Sequence, residues 1–294
     1  MGAGGRRWRI WPFLKQVYRE YTRDNCALMA AAISFYALLS LIPLLLVGLS
    51  TLGYVLGSET ARQAVFQFLD QFLPPQFGGR ALQEYVRANV IDPRGFVGLL
   101  GLITWIWTGS MSFTTTTIAL NVAWGAQKRR SFVATRLLSI AMMVLVGVLA
   151  LLSFGATSWL QIMEHFRIPW SGLQPGQFPM VWRVAAWVVP MVVSVLLFLL
   201  CYLVLPDMHI GARPALVGAV VAGVLWECAK QGFAVYIANF AHYNKVYGSL
   251  GGVVILVMWV YYTAVILLLG AEVAKATADR CATSRKTVRR RTAR

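Results

Sequence analysis

Glu227 and Lys230 are the residues of this chain best placed to do chemistry. They stand three apart within the apolar stretch Ala215 to Phe240, in the run Trp226-Glu227-Cys228-Ala229-Lys230. On a helix that spacing puts both side chains on one face. A lone charge at the centre of a bilayer costs about 3 kcal/mol, so such residues turn towards a bundle interior or a wet cavity. One reading makes the pair part of a polar pathway, with Glu227 touching a proton or a lipid headgroup. The other makes it an internal ion pair that only fixes packing.

Other polar residues sit in equally apolar surroundings. Thr114, Thr115, Thr116 and Thr117 follow one another. Four consecutive hydroxyls cannot share a helix face, and each can bond its own backbone, so local satisfaction is the favoured reading. Asn121 and Trp124 follow, and Asn121 could cap the helix or bond a neighbouring one. Upstream, Ala30, Ala31, Ala32, Ser34, Tyr36, Ala37 and Ser40 precede Pro43. The small residues permit close helix approach, and Pro43 would kink the helix and free a carbonyl. Gly218 with Ala222, and Ala219 with Gly223, are a second small-residue face. The turn His242 to Gly252 combines aromatics, Lys245 and glycines, and reads as a re-entrant gate or a tight hairpin. The expected polar groove is therefore Glu227, Lys230, Asn121, Tyr36, Ser34, Ser40 and Tyr247, with Pro43, Gly248, Gly251 and Gly252 as hinge or gate.

Enzyme signatures are missing. His165, His209 and His242 are scattered, and no Cys/His spacing around Cys26, Cys201, Cys228 or Cys281 forms a metal motif. No P-loop, G-x-S-x-G or H-E-x-x-H occurs. We expect no catalytic residue, no metal and no cofactor.

Composition says what must hold these residues. Of 294 residues, 58% are hydrophobic and only 13% charged. Soluble chains carry about 25% charged residues. The expected fold is all-α, a polytopic membrane protein. Five stretches of 23 to 34 residues contain no charge, each beyond the ~20 residues a helix needs to cross the hydrocarbon core. With the Glu227 segment they predict six transmembrane helices near 27–56, 96–122, 137–160, 184–205, 215–240 and 250–273. Nineteen Lys/Arg flank the spans on one side and seven on the other, within a net charge of +16. The positive-inside rule then puts both termini in the cytoplasm. Such a balance favours anionic lipid headgroups as partners over a specific nucleic acid.

Residues 1–25 hold no uninterrupted apolar core. Ile10, Phe13, Leu14, Val17, Tyr18 and Tyr21 recur at helical spacing among basic residues, which predicts an amphipathic helix in the headgroup layer and no signal peptide. Two interfacial helices are expected in 58–94, divided by Pro74-Pro75, and a flat aromatic loop in 161–183. The basic tail 275–294 is expected to be disordered.

The run Asn25-Cys26-Ala27 through Ala30-Ala31-Ala32-Ile33-Ser34-Phe35-Tyr36-Ala37-Leu38-Leu39-Ser40-Leu41-Ile42-Pro43 resembles the opening motif of the YihY/BrkB family of bacterial inner-membrane proteins. Asn121 with Trp124, Pro206-Asp207, Tyr247-Gly248-Ser249-Leu250, Trp259-Val260-Tyr261 and Gly270-Ala271-Glu272 are similar to its later signatures in the expected order. The resemblance implies a six-helix inner-membrane protein. Family members have been linked to serum resistance and to movement of lipid A precursors or phospholipids, and an old ribonuclease label is generally regarded as mistaken. The expectation is a non-enzymatic transporter or flippase of an anionic amphiphilic lipid. The alternative is an envelope-assembly scaffold, with homo-oligomerisation or assembly partners open.

Overall fold

The computed structural model describes residues 10–56, 94–126, 130–165, 179–208, 210–240 and 250–292. Among them there are seven helices and no strand. They are α1 (Ile10–Arg23), α2 (Cys26–Leu56), α3 (Arg94–Trp124), α4 (Phe132–His165), α5 (Pro179–Val204), α6 (Ala212–Phe240) and α7 (Leu250–Thr292). The readings for the first outer loop and for Tyr247 and Gly248 lie outside the described residues, as does most of the second outer loop.

Among the described residues, four windows are long and apolar enough to cross a membrane: Cys26–Gly48, Phe132–Leu149, Ala212–Phe233 and Gly252–Cys281. A shorter apolar helix covers Val188–Val204. Only 17% to 28% of each long window is buried inside the protein, so most of its apolar side chains face outwards. A soluble exterior does not carry Leu28, Phe35, Ile42, Leu45, Val188 and Val253 in the open, whereas a lipid-facing one does.

α7 is the hub. It packs on α1, α2, α3 and α6, while α3 lies along α2, α5 along α6 and α4 mainly against α3. In lipid no hydrophobic force drives apolar helices together, so close packing and interhelical hydrogen bonds must do it. The core is accordingly built from small residues: Ala30, Ala119, Ala215, Ala219, Ala222, Ala264 and Ala271 are buried. A methyl added at Gly218 would run into the Gly270 carbonyl, and one added at Gly270 would meet Tyr202 and come within 3.0 Å of the Gly218 carbonyl. The two glycines thus let α6 and α7 cross at backbone contact. Tyr202 of α5 is fully buried and donates its hydroxyl to the Leu267 carbonyl at 2.7 Å, fastening α5 to the same crossing.

The hydroxyls of α3 behave as their spacing predicts. Thr114, Thr115, Thr116 and Thr117 donate to the carbonyls of Ser110, Met111, Ser112 and Phe113. Two contacts reach further: Ser112 donates to the Ile33 carbonyl of α2 at 3.3 Å, and the Thr114 and Ser139 hydroxyls lie 3.0 Å apart between α3 and α4. Arg136 of α4 donates to the Trp107 carbonyl at 2.8 Å and lies 4.2 Å from that indole ring centre.

Two expectations need correction. The tail does not begin as a disordered segment at 275, because α7 continues to Thr292. A helix already nucleated in the bundle propagates cheaply, and Ala276 and Thr277 are buried on it. The apolar stripe of α1 is also divided. Val17 and Phe13 pack on Val273 and Ala276 of α7, while Leu14 and Tyr18 remain exposed. Helix α1 therefore docks on the protein as well as carrying an open apolar face.

Candidate functional site

Glu227 and Lys230 lie near the middle of α6, about 22 Å along the helix from Ala212. Glu227 Oε1 accepts from Lys230 Nζ at 2.8 Å and from Ser194 Oγ of α5 at 3.1 Å. The Glu227 side chain is 17% exposed and that of Lys230 35%. The carboxylate is thus turned towards α5 and the ammonium opens outwards. An ammonium has three donors, and the bond to Glu227 uses one of them. Beside the pair, Trp259 of α7 lies 4.8 Å from Trp226 and 4.4 Å from Phe233, centre to centre. These rings form an apolar wall along the same part of α6. The arrangement can hold an anionic group against a cation at membrane depth.

The other described residues of the expected groove are placed elsewhere. Ser34 is buried in α2 and donates to the Ala30 carbonyl, and Ser40 donates to Ala37. Tyr36 sets its ring edge-on to Phe35. Pro43 lies inside α2, which runs unbroken through it. Gly251 and Gly252 belong to the first turn of α7, and Gly252 faces open space. Among the described residues of the proposed set, only Glu227 and Lys230 are brought together, joined by Ser194.

Asn121 serves a different site, at the end of the bundle that carries α1. The α3 helix closes on Gly125, whose φ of 64° is the left-handed conformation glycine adopts without strain. Ala126 N–H bonds the Asn121 carbonyl and Gly125 N–H bonds Val122, the paired bonds of a Schellman cap. The Asn121 side chain then donates to Asp207 Oδ2 at 2.8 Å and accepts from the Asp207 N–H at 2.8 Å. Arg130 completes the junction. Its N–H reaches the same carboxylate, its Nε lies 3.4 Å from Oδ1, and its guanidinium donates to the carbonyls of Val204, Leu205 and Pro206. One arginine thus caps the end of α5 while clamping the α3–α4 loop to the α5–α6 loop. Arg130 was visible in the sequence only as one of several loop cations. Replacing Asp207 by alanine removes the acceptor of this junction, whose side chain is 4% exposed. A loss of about 2 kcal/mol is expected, the scale for bonds to a charged group, read as a lower melting temperature of the purified protein.

A second unforeseen cluster joins α1, α2 and α7. Lys275 Nζ lies 3.1 Å from Asp24 Oδ2 and 3.6 Å from Glu20 Oε2, all three at most 14% exposed. One turn earlier on α7, Glu272 is fully buried and accepts a hydrogen bond from the Cys26 thiol at 3.5 Å. Its other oxygen has no hydrogen-bond partner. Asn25, with φ 50°, makes the tight turn that delivers Cys26 to this place. Burial, with smaller contributions from Cys26 and Tyr261, pushes the neighbouring Tyr21 phenol up to about 12. All four cysteines are free thiols.

Comparison with known proteins settles the kinship. A family model described as Virulence factor BrkB matches residues 17–294. The chain belongs to this family. It is 28% identical over 267 residues to a Bacillus subtilis (strain 168) protein named ribonuclease-like protein YfkH, covering 89% of this chain and 93% of that one. It is 30% identical over 268 residues to a UPF0761 membrane protein of Legionella pneumophila (strain Corby), covering 90% of this chain and 61% of the relative. A UPF0761 membrane protein of Aeromonas salmonicida (strain A449) is 29% identical over 273 residues, covering 88% of this chain and 87% of the relative. The chain thus spans under two thirds of the Legionella relative's length. No solved structure matches.

In this BrkB-family protein most of the described motifs that carry the resemblance fall on structural junctions. Asn25 and Cys26 lie at the α1–α2 turn and the Glu272 cluster. Asn121 and Asp207 form the loop clamp. Gly270 lies at the α6–α7 crossing. Among the described motif residues, Trp259 alone touches the neighbourhood of Glu227 and Lys230, through Trp226. The motifs thus identify the architecture more directly than they identify a path for a substrate.

Proposed function

We propose that this protein moves an anionic amphiphilic lipid across the bacterial inner membrane, along a lateral groove at Glu227 and Lys230. In this reading six helices span the membrane, α2 to α7, and both termini are cytoplasmic, where most of the basic residues then lie. The observation that carries it is the half-open ammonium of Lys230 on α6, inside the candidate span Ala212–Phe233 near its Phe233 end, held by a carboxylate that Ser194 anchors from α5. A purely structural pair is best closed from lipid on every side, because desolvating two charges is costly. Here the cation keeps an outward side, next to the aromatic wall of Trp226, Phe233 and Trp259. A headgroup phosphate would exchange water for Lys230 while its acyl chains stay in the bilayer. The reading involves no chemical step and assigns no enzyme activity.

Purified protein in liposomes tests it, with fluorescent phospholipid and lipid A precursor analogues compared side by side. Accelerated flipping is expected for the wild type, and loss of most of it for Glu227→Gln and Lys230→Met. A change of about 1.4 kcal/mol in substrate affinity already corresponds to tenfold. No flipping of any lipid by folded protein would reject the reading in favour of a scaffold. Wild-type flux in both variants would remove this pair from the path.

A further inference from the structure

Helix α1 presents a composite surface that the groove does not use. Its rotation is fixed from the inside: Val17 and Phe13 rest on Val273 and Ala276, and Lys275 holds Glu20 and Asp24. Both acidic side chains of α1 and its turn are thereby drawn to the protein side. What remains outside falls into two adjoining sectors. At 100° per residue, Leu14, Tyr18 and Trp11 cover a sector of about 60°, and Lys15, Arg19 and Arg23 the next 80° or so. Trp11 is 78% exposed, Tyr18 72% and Leu14 52%. The basic sector borders an open cleft of about 710 Å³ lined by Lys15, Gln16, Arg19, Thr22 and Arg23 over Pro12. Arg23 gives its Nε to Asp24 Oδ1 at 3.0 Å and still turns the rest of its guanidinium to solvent.

We propose that the outer face of α1 is a binding site for the phosphate of anionic membrane lipids, with Lys15 and Arg19 taking the headgroup charge and Trp11, Leu14 and Tyr18 seated among the upper acyl chains. The occupant follows from three observations. Lys15 and Arg19 are exposed and neither is paired with a carboxylate among the described residues, whereas Arg23 is shared with Asp24. The aromatic sector beside them would stay in water if the ligand were a small soluble anion, whereas tryptophan and tyrosine favour the bilayer interface. And α1 ends three residues before Cys26, the first residue of a candidate span, so its outer face is held at the membrane surface by the chain itself. A basic helix with an aromatic flank at that depth is an interfacial anchor for anionic lipid. This goes beyond the groove reading and does not depend on it.

The test is lipid selectivity of the full chain in phosphatidylcholine bilayers. The association of spin-labelled phosphatidylglycerol is measured relative to spin-labelled phosphatidylcholine. Wild type is expected to prefer the anionic lipid. Each cation removed should lower that preference roughly fivefold, so K15Q and R19Q should each lower it and K15Q/R19Q should bring it near parity. The charge-preserving K15R/R19K should retain it. Soluble glycerol phosphate at the same phosphate concentration should not displace the lipid. Unchanged preference in K15Q/R19Q that melts like wild type overturns the proposal, and displacement by glycerol phosphate overturns the assignment to lipid. E227Q separates the two readings: it should lose flux and keep the preference.

Discussion

Gly270→Val is expected to cost about 3 kcal/mol, the upper end of the usual overpacking range. The reason for the upper end is what stands in the way. A Cβ at 270 meets the Tyr202 hydroxyl, approaches Ala222 Cβ at 2.7 Å and approaches the Gly218 carbonyl at 3.0 Å. Main-chain atoms of a packed helix do not rotate aside as a methionine tail does. Gly218→Val is blocked in the same way from the other helix, by the Gly270 carbonyl and by Ala274 Cβ at 2.7 Å. Displacing α7 from α6 also breaks the bond from Tyr202 to the Leu267 carbonyl, for which Tyr202→Phe alone should cost about 0.6 kcal/mol. Gly147→Ala is the internal control, since nothing lies within 4 Å of a methyl there, and it should be neutral or slightly stabilising. Thermal melting of the four variants in one detergent checks the order. Gly270→Val melting with wild type would mean that α6 and α7 do not cross at backbone contact.

The contrast between those two glycines shows what the sequence reveals and what it hides. Gly218 and Ala222 advertise a small-residue face because they are four apart on one helix. Their partner Gly270 sits in a run of leucine and alanine on α7, where a single glycine has no distinguishing local pattern. The same limit applies to the candidate sites. Glu227 and Lys230 were legible because two charges three apart in an apolar segment are costly wherever the rest of the chain lies. Ser194, thirty-three residues earlier, was not, because a lone serine in a membrane helix usually bonds its own backbone, as Ser34 and Ser40 do. Asn121 was recognised as a hydrogen-bonding residue, but its partner Asp207 belongs to the α5–α6 loop and Arg130, which completes the junction, to the α3–α4 loop, and only the folded chain brings the three together. The tail was misread for a related reason. Its composition describes residues 275–294 by themselves, while their helix is inherited from the 25 or so residues before them and from the docking of α1.

Lys275→Met should be the most damaging single change at the α1 end of the bundle. Lys275 faces two carboxylates, Asp24 at 3.1 Å and Glu20 at 3.6 Å, and the three side chains are 14%, 10% and 12% exposed. Glu20 Oε2 has no hydrogen bond of its own, so its compensation is Coulombic and comes from this lysine. The nearby Glu272 adds a third carboxyl in the same buried region. Methionine keeps most of the length of the side chain and removes only the charge. Breaking a buried pair by deleting one partner costs about 3–5 kcal/mol, because the remaining charge is left without compensation. The lower figure is expected here, since Arg23 still reaches Asp24 from outside. The structural consequence is specific: α1 should leave α7, and with it the cover over Cys26, which is now 2% exposed. In a C228S/C281S background, which removes the two exposed thiols, maleimide labelling should be slow in the parent and fast in K275M. Neutralising the acids as well, in E20Q/D24N/K275M, should restore slow labelling, because uncharged amides can be buried where unpaired carboxylates cannot. If K275M labels as slowly as its parent, the ion cluster does not hold α1. If the triple variant labels as fast as K275M, the lysine acts through its bulk rather than its charge. Only the charge account predicts that two further mutations at the same junction repair the damage done by the first.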